Sequence, residues 1–281
     1  SNYNNTMENQ NQEQEHKLPK TGIQKFNSFI RNKNTADYLA DILQDKKDQF
    51  VTNMVALVSN NKTLQECVPA TLLNAALKAT AINLPLDQNL GFAYVIPYKN
   101  NKENITEAQF QIGYKGFKQL ALRAGILISC TDVRQGELKS RSRLKGTLDI
   151  DEVQDETLRL TLPVIGYASY FQYNGMESMF YMTIAEIEQH AKRYSQSYKS
   201  TTAWVKNSSL WTTDFDKMAK KTVCKLHLST DAPLEIQTQI KNSGDQAVFI
   251  DKDKFKYIDN TEEINEDEKQ NTDDIGIYVE Q

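Results

Sequence analysis

Between Glu107 and Ile112 polar and apolar side chains alternate, with Ala108, Phe110 and Ile112 on one face and Glu107, Gln109 and Gln111 on the other. A period of two predicts a strand that buries one face and offers amides on the opposite one. After Gly113 the period lengthens: Phe117, Leu120 and Ala121 fall at helical spacing while Lys115, Lys118 and Arg123 occupy other parts of the turn. This predicts a helix over 114–123, opened by Tyr114 and stopped by Gly125. A positive helix start beside amides and an aromatic ring suits a nucleic-acid backbone with bases stacked nearby. An ordinary strand and helix with a solvated basic face has the same pattern.

Elsewhere the helical period predicts helices over 35–47, 50–59 and 70–82. Asn83-Leu-Pro-Leu-Asp87 ends the last of them, because proline lacks a donor and restrains the residue before it. Strands are predicted over 92–98 and 105–112, paired as a hairpin across 99–104, and then over 127–134, 137–145, 157–164, 167–173 and 178–182. Asn174-Gly175 joins the last two, a dipeptide that favours tight hairpins. Thr183-Ile-Ala-Glu186 is a capping box and predicts a helix over 184–194. Residues 195–209 read as a polar loop, carrying Lys199 and Lys206, that a partner would order.

A helix beginning near Asp214 places Phe215, Met218, Ala219, Thr222, Val223 and Leu226 on one stripe. Lys217, Lys221 and Lys225 recur at every fourth position with Lys220 beside them, and they are expected to face away from the core. Their mutual repulsion calls for an anion. Asp214 and Asp216 in the first turn suit the positive end of the helix dipole as caps. The fold class is therefore α+β: an N-terminal helical section, then an antiparallel β-hairpin and sheet core packed with helices.

At 281 residues and 39% hydrophobic content the chain has enough material for one large core or two modest ones. Residues 1–17 are mostly Asn, Gln and Glu and should be disordered, with Met7 a candidate native start. The net charge of −4 divides unevenly: residues 251–281 hold 11 acidic and 4 basic residues, which leaves 1–250 mildly cationic at +3. That tail reads as a solvated solubiliser, or as a competitor in which Glu262–Glu268 opposes DNA at the basic surface. If it competes, cutting the chain near Ile250 should tighten single-strand binding at low salt.

Cys67, Cys130 and Cys224 are odd in number and widely spaced, which fits a reducing compartment and no zinc or redox pair. No apolar run is long enough to span a bilayer and no signal-peptide pattern is present, so a soluble, cytoplasmic protein is expected. The chain has no Gly-x-x-x-x-Gly-Lys-Ser/Thr run, which argues against an ATP-driven mechanism. His16, His190 and His227 are scattered, which argues against a histidine metal site or a nucleophile–histidine hydrolase. A two-metal nuclease needs only a few converging carboxylates and stays open as an alternative. Asp149, Asp151 and Glu152 read as a turn between strands.

Three stretches carry a resemblance: residues 83–99, residues 109–125, and Trp211-Thr-Thr-Asp-Phe-Asp-Lys-Met-Ala-Lys-Lys-Thr222. They resemble, in family order, the three signature blocks of the RecT family of phage single-strand annealing proteins, and they anchor a region from about Lys25 to about Ser229. The chain departs from the family by inserting residues 100–106 at the hairpin tip. The resemblance implies an oligomer, a ring or helical filament, that coats single-stranded DNA left by a partner exonuclease and pairs it with a complementary strand through a duplex intermediate. It implies no catalysis and no cofactor or metal, and a host single-strand-binding protein as a further partner. A passive single-strand-protecting protein is the other alternative.

Combining both readings, residues 25–230 form the annealing domain, flanked by disordered 1–24 and an acidic, mostly disordered 231–281. Lys99, Lys115, Lys118, Arg123, Lys220 and Lys221 are the candidates for phosphate contacts, with Lys217 and Lys225 behind them. Tyr98, Gln109, Gln111 and Tyr114 are candidates for sugar, amide or stacking contacts. Trp211 is either a core anchor or a base platform.

Overall fold

The computed structural model describes residues 20–100 and 102–242. The polar segment 1–17 and the acidic tail 251–281, with Glu262–Glu268 and the Ile250 boundary, lie outside the described residues.

The chain opens with α1 (Gly22–Ile30), α2 (Lys33–Leu43), a 3-10 turn at Gln44–Lys46, α3 (Lys47–Ser59), α4 (Lys62–Gln65) and α5 (Pro69–Ala81). Each start has a local cause: Thr21 and Gln24 close a capping box on α1, Asn32 and Asn61 accept backbone N–H groups of α2 and α4, and Pro69 occupies the first turn of α5. The predicted hairpin follows as β1 (Ala93–Asn100) and β2 (Ile105–Ile112), paired from Ala93 opposite Ile112 to Asn100 opposite Ile105. The ribbon runs further toward its tip than expected, so part of the inserted segment is strand.

Next come α6 (Tyr114–Arg123), β3 (Leu127–Arg134), β4 (Leu138–Ser142), β5 (Thr147–Ile150), α7 (Glu156–Thr161), β6 (Val164–Tyr173) and β7 (Met176–Thr183). Asn174 and Gly175 both have positive φ, 48° and 78°, the left-handed turn that their dipeptide favours. β3, β6 and β7 form an antiparallel sheet in that order, and β4 and β5 a separate ribbon. The chain ends in α8 (Ile184–Tyr194), α9 (Gln196–Lys199), α10 (Ala203–Ser208), α11 (Leu210–Thr213), α12 (Phe215–Asp231) and α13 (Leu234–Asn242). α13 lies beyond residue 230 and buries Ile236 and Ile240 in the main core.

Some expected elements differ. Residues 157–164 alternate like a strand, but Asp155 accepts the Thr157 and Leu158 N–H groups and nucleates α7 instead. The single strand expected over 137–145 is shorter and turns back, so Asp149 sits inside β5 rather than in a turn. Residues 195–209 are not a loop: Ser195 and Ser209 cap α9 and α11, and both serines are buried together with Ser197 and Val205.

The main core joins α1, α3 and α5 to one face of the β1–β2 ribbon, to α6, and to the C-terminal half of α12. Each fully buried Leu or Phe in it contributes about 1.5–3 kcal/mol. A second core surrounds Trp211 beneath α8 and α12 and includes Tyr167, Ile187 and Met218. Trp211 is therefore a core anchor, edge-on to Phe215. A third cluster, Val133, Ala168 and Tyr181 with Leu138, Leu148 and Ile150, seats the β4–β5 ribbon on the sheet face away from α12.

Two imidazoles, His227 buried and His190 half-buried, are expected to make this fold acid-sensitive. The His227 ring lies between Phe171 and Phe180, with Nδ1 2.8 Å from Ser169 Oγ and Nε2 2.9 Å from Ser178 Oγ. Burial pushes its pKa down to about 4, and that of His190 to about 3. The unfolded chain takes up these protons near pH ~6.5 while the native state resists them until far lower. Their contribution to stability is thus full above that pH and drains away as pH falls toward the native values. Each is expected to cost about 1.4 kcal/mol per pH unit in that window. Melting temperatures between pH 7 and 5 check this, and a flat profile would refute it.

Candidate nucleic-acid interface

α6 starts where the hairpin ends. Gly113 donates its N–H to the Phe92 carbonyl at 2.8 Å and serves as the N-cap, so the helix leaves directly from the ribbon's base. One turn in, a Cβ on Gly116 would lie 2.1 Å from the same carbonyl oxygen. Only glycine lets the helix rest this close to backbone. Gly116→Ala is expected to push α6 off the ribbon and to destabilise the protein by about 1–3 kcal/mol. A thermal melt tests it, and an unchanged midpoint would count against this packing.

That close approach brings cations from distant parts of the chain together. The Lys115 stem passes beside Gly91, next to the Tyr94 hydroxyl, and Tyr94 in turn lies in the electrostatic field of Lys217 on α12. Lys118 Nζ sits 5.7 Å from the centre of the Tyr114 ring. Lys118 and Lys220 both act on the Cys130 thiol, which burial nonetheless pushes up to about 12, so it is no reactive thiolate. Lys221 Nζ donates to Gln111 Oε1 at 3.3 Å, bridging α12 to β2. The start of α6 and the first half of α12 thus border one surface, with α12 tied to the ribbon through Gln111. Tyr94 belongs to it too, a residue that strand alternation alone does not single out.

Other expected positions are corrected. Gln109 and Gln111 do not present amides to solvent, being only 7% and 3% exposed, because the ribbon is covered on this face as well as against α5. The Gln109 Oε1 is buried without a hydrogen-bond partner among the described residues. Lys225 does not face outward: α12 is buried from Met218 to Leu228 on most sides, and the Lys225 ammonium lies 5.8 Å from the Phe117 ring. Arg123 is exposed but engaged, donating to the Ile82 and Asn83 carbonyls at 2.7 Å each and so closing the end of α5.

Tyr114 is half-buried, and burial raises its pKa. Tyr98 stands opposite Glu107 near the ribbon tip, its pKa raised by burial and then by that carboxylate. Lys99 is exposed beside it but belongs to the opposite face of the strand.

The lysines of α12 also have carboxylates at hand. Asp214 pairs with Lys217, and Asp216 accepts from Lys220 at 2.9 Å and from the Tyr167 hydroxyl at 3.1 Å. Asp214 makes no side-chain cap, so the anion that the lysine spacing calls for is supplied in part by the chain itself. Among the described residues no carboxylate lies within ion-pair distance of Lys115 or Lys118. No group of three or more His, Cys, Asp or Glu among them is placed to hold a metal ion, and no helix among them is long and apolar enough to cross a membrane.

The profile of the RecT family matches residues 48–265. YqaK, an uncharacterised protein of Bacillus subtilis (strain 168), is 34% identical over 231 residues, spanning 81% of this chain and 72% of its own length. The protein RecT of Escherichia coli (strain K12) is 26% identical over 253 residues, spanning 84% of this chain and 89% of its own.

Proposed function

The chain belongs to the RecT family, and from that membership, which implies single-strand annealing in recombination, we propose that it binds single-stranded DNA and pairs complementary strands as an ATP-independent oligomer. One observation supports this reading: α12 packs on α6, which leaves from the hairpin's base, and Lys221 of α12 hydrogen-bonds Gln111 of the hairpin, so the lysines of both helices lie near one another. Lys115, Lys118, Lys217, Lys220 and Lys221 hold phosphates there, and Tyr94 and Tyr114 line the floor. The surface offers charge and ring faces, so the strand is held by its backbone and its Watson–Crick edges stay open to a second strand. Base pairing then supplies the driving force, and sequence preference is weak.

Family members are annealing proteins rather than catalysts. The absence of a phosphate-cradling glycine loop in the sequence supports a mechanism without nucleotide hydrolysis. In the cytoplasm of a bacterial host, a partner exonuclease would expose the first strand and a single-strand-binding protein would be displaced from it.

Mixing complementary strands and following duplex formation without ATP tests the proposal. Acceleration is expected; slowed pairing would indicate a passive coat. Degradation of labelled single strands with Mg²⁺ would instead favour a nuclease.

A further inference from the structure

The solvent face of α2 and the tip of the β4–β5 ribbon are matched in chemistry and opposite in charge. α2 buries only Leu39 fully and leaves Tyr38 and Ile42, one turn apart, 52% and 46% exposed. Asp41 flanks them, as does Asp37, which is paired with Lys33 at 2.7 Å, and Asp45 on the following turn is succeeded by Lys46 and Lys47. The ribbon tip reads Arg143-Leu144-Lys145, in which Leu144 is 96% exposed between two exposed cations. A leucine so placed gains nothing from its own fold. The ribbon behind it is held firmly: Arg141 donates to the Tyr181 carbonyl at 2.8 Å, and Arg143 reaches Glu186 at 3.1 Å.

Within one chain these patches pack on different elements. α2 packs on α1 and α3, whereas the β4–β5 ribbon sits on the three-stranded sheet through Val133, Ala168 and Tyr181.

We propose that the ribbon tip of one copy docks on α2 of the next, with Leu144 seated against Tyr38 and Ile42, and Arg143 and Lys145 facing Asp41 and Asp45. Because the two surfaces differ, the interface is head-to-tail: it closes into a ring if the rotation per copy permits and otherwise continues as a filament. Leu144, Tyr38 and Ile42 give the apolar centre, the four charges give the register, and the assembly weakens as salt rises. The inference rests on the proposal that the protein acts as an oligomer, and it names the surface that makes one.

Charge exchange tests it. The full-length R143E/K145E and D41K/D45K variants are each expected to run as a single 32.1 kDa chain by light scattering where the parent runs as a multimer. An equimolar mixture of the two should reassemble, since each variant's altered surface then meets the other's. Either variant assembling like the parent, or a mixture that stays monomeric, overturns the interface. So does loss of single-strand binding in R143E/K145E that mixing does not repair, which would assign the ribbon to DNA. If charge reversal prevents folding, the Y38S/L144S variant gives the same readout without charge change. A parent that anneals strands as a single chain overturns this interface while leaving the annealing activity standing.

Discussion

Replacing Lys115 and Lys118 together by alanine is expected to weaken single-strand binding by about tenfold for each phosphate that goes unheld. The slope of log affinity against log salt should flatten by about 0.7 for each. These two exposed lysines on α6 have no ion-pair partner among the described residues to release, so whatever they contribute to DNA appears in full. Melting should barely change, since neither side chain supports the core. Titrations at several salt concentrations measure the slope, and an unaltered slope would remove α6 from the interface. Lys220 and Lys221 replaced together should slow annealing and flatten the slope less steeply. Arg123→Ala makes the contrast: it should lower the melting temperature by unfastening the end of α5 while leaving the salt slope unchanged.

Arg159→Met is expected to cost about 3–5 kcal/mol, because it strands a buried carboxylate. Glu137 is fully buried. It accepts from Arg159 Nε at 2.6 Å and from the backbone N–H groups of Arg134 and Val153 at 2.7 and 3.1 Å. Burial alone would raise the Glu137 pKa, but these hydrogen bonds outweigh it and hold the carboxyl below its usual range. Asp132 is tied into the same cluster by Arg134 at 2.7 Å and Arg159 at 3.6 Å. The damage should be local, since the cluster fastens α7 and the base of the β4–β5 ribbon. Faster tryptic cleavage within residues 136–162, with a melting temperature lowered by about 10 °C, is the expected signature. A variant as resistant as the parent would show that the cluster contributes little.

Where the signal lies in neighbouring residues, the sequence is legible. The ribbon 105–112, the helix 114–123 and the strand 127–134 follow from periodicity alone, and the Asn174-Gly175 turn and the Thr183–Glu186 box from local hydrogen-bond chemistry. Sequence and structure part where two local signals compete or where distant elements decide. Leu158, Leu160 and Leu162 alternate as in a strand, yet the Asp155 cap outweighs that pattern.

Serines across 195–209 suggest a loop, but serine also caps helices, and the short helices it starts there are packed around Val205 and Trp211. The amides of Gln109 and Gln111 and the ammonium of Lys225 are expected in solvent because alternation shows which residues share a face, not what covers it. α12 arrives more than a hundred residues later and covers Gln111 with Lys221. The packing of α6 on α12 is likewise not legible in the periodicity of either helix, because it joins segments a hundred residues apart.

If Lys217 and Lys220 hold phosphates as proposed, the carboxylates beside them would make this edge of the surface self-resetting. On the proposed function, a strand arriving there would displace Asp214 and Asp216, tethered anions, from these lysines rather than chloride from solution. A tethered anion cannot diffuse away, and its high effective concentration lets it reclaim the lysine whenever a phosphate lifts. Less mixing entropy would then be gained on occupancy than at Lys115 and Lys118, so this edge of the surface would grip more shallowly than its lysine count suggests. A polymer held firmly along one wall and loosely along the other can slide, shift register and test a new partner without dissociating.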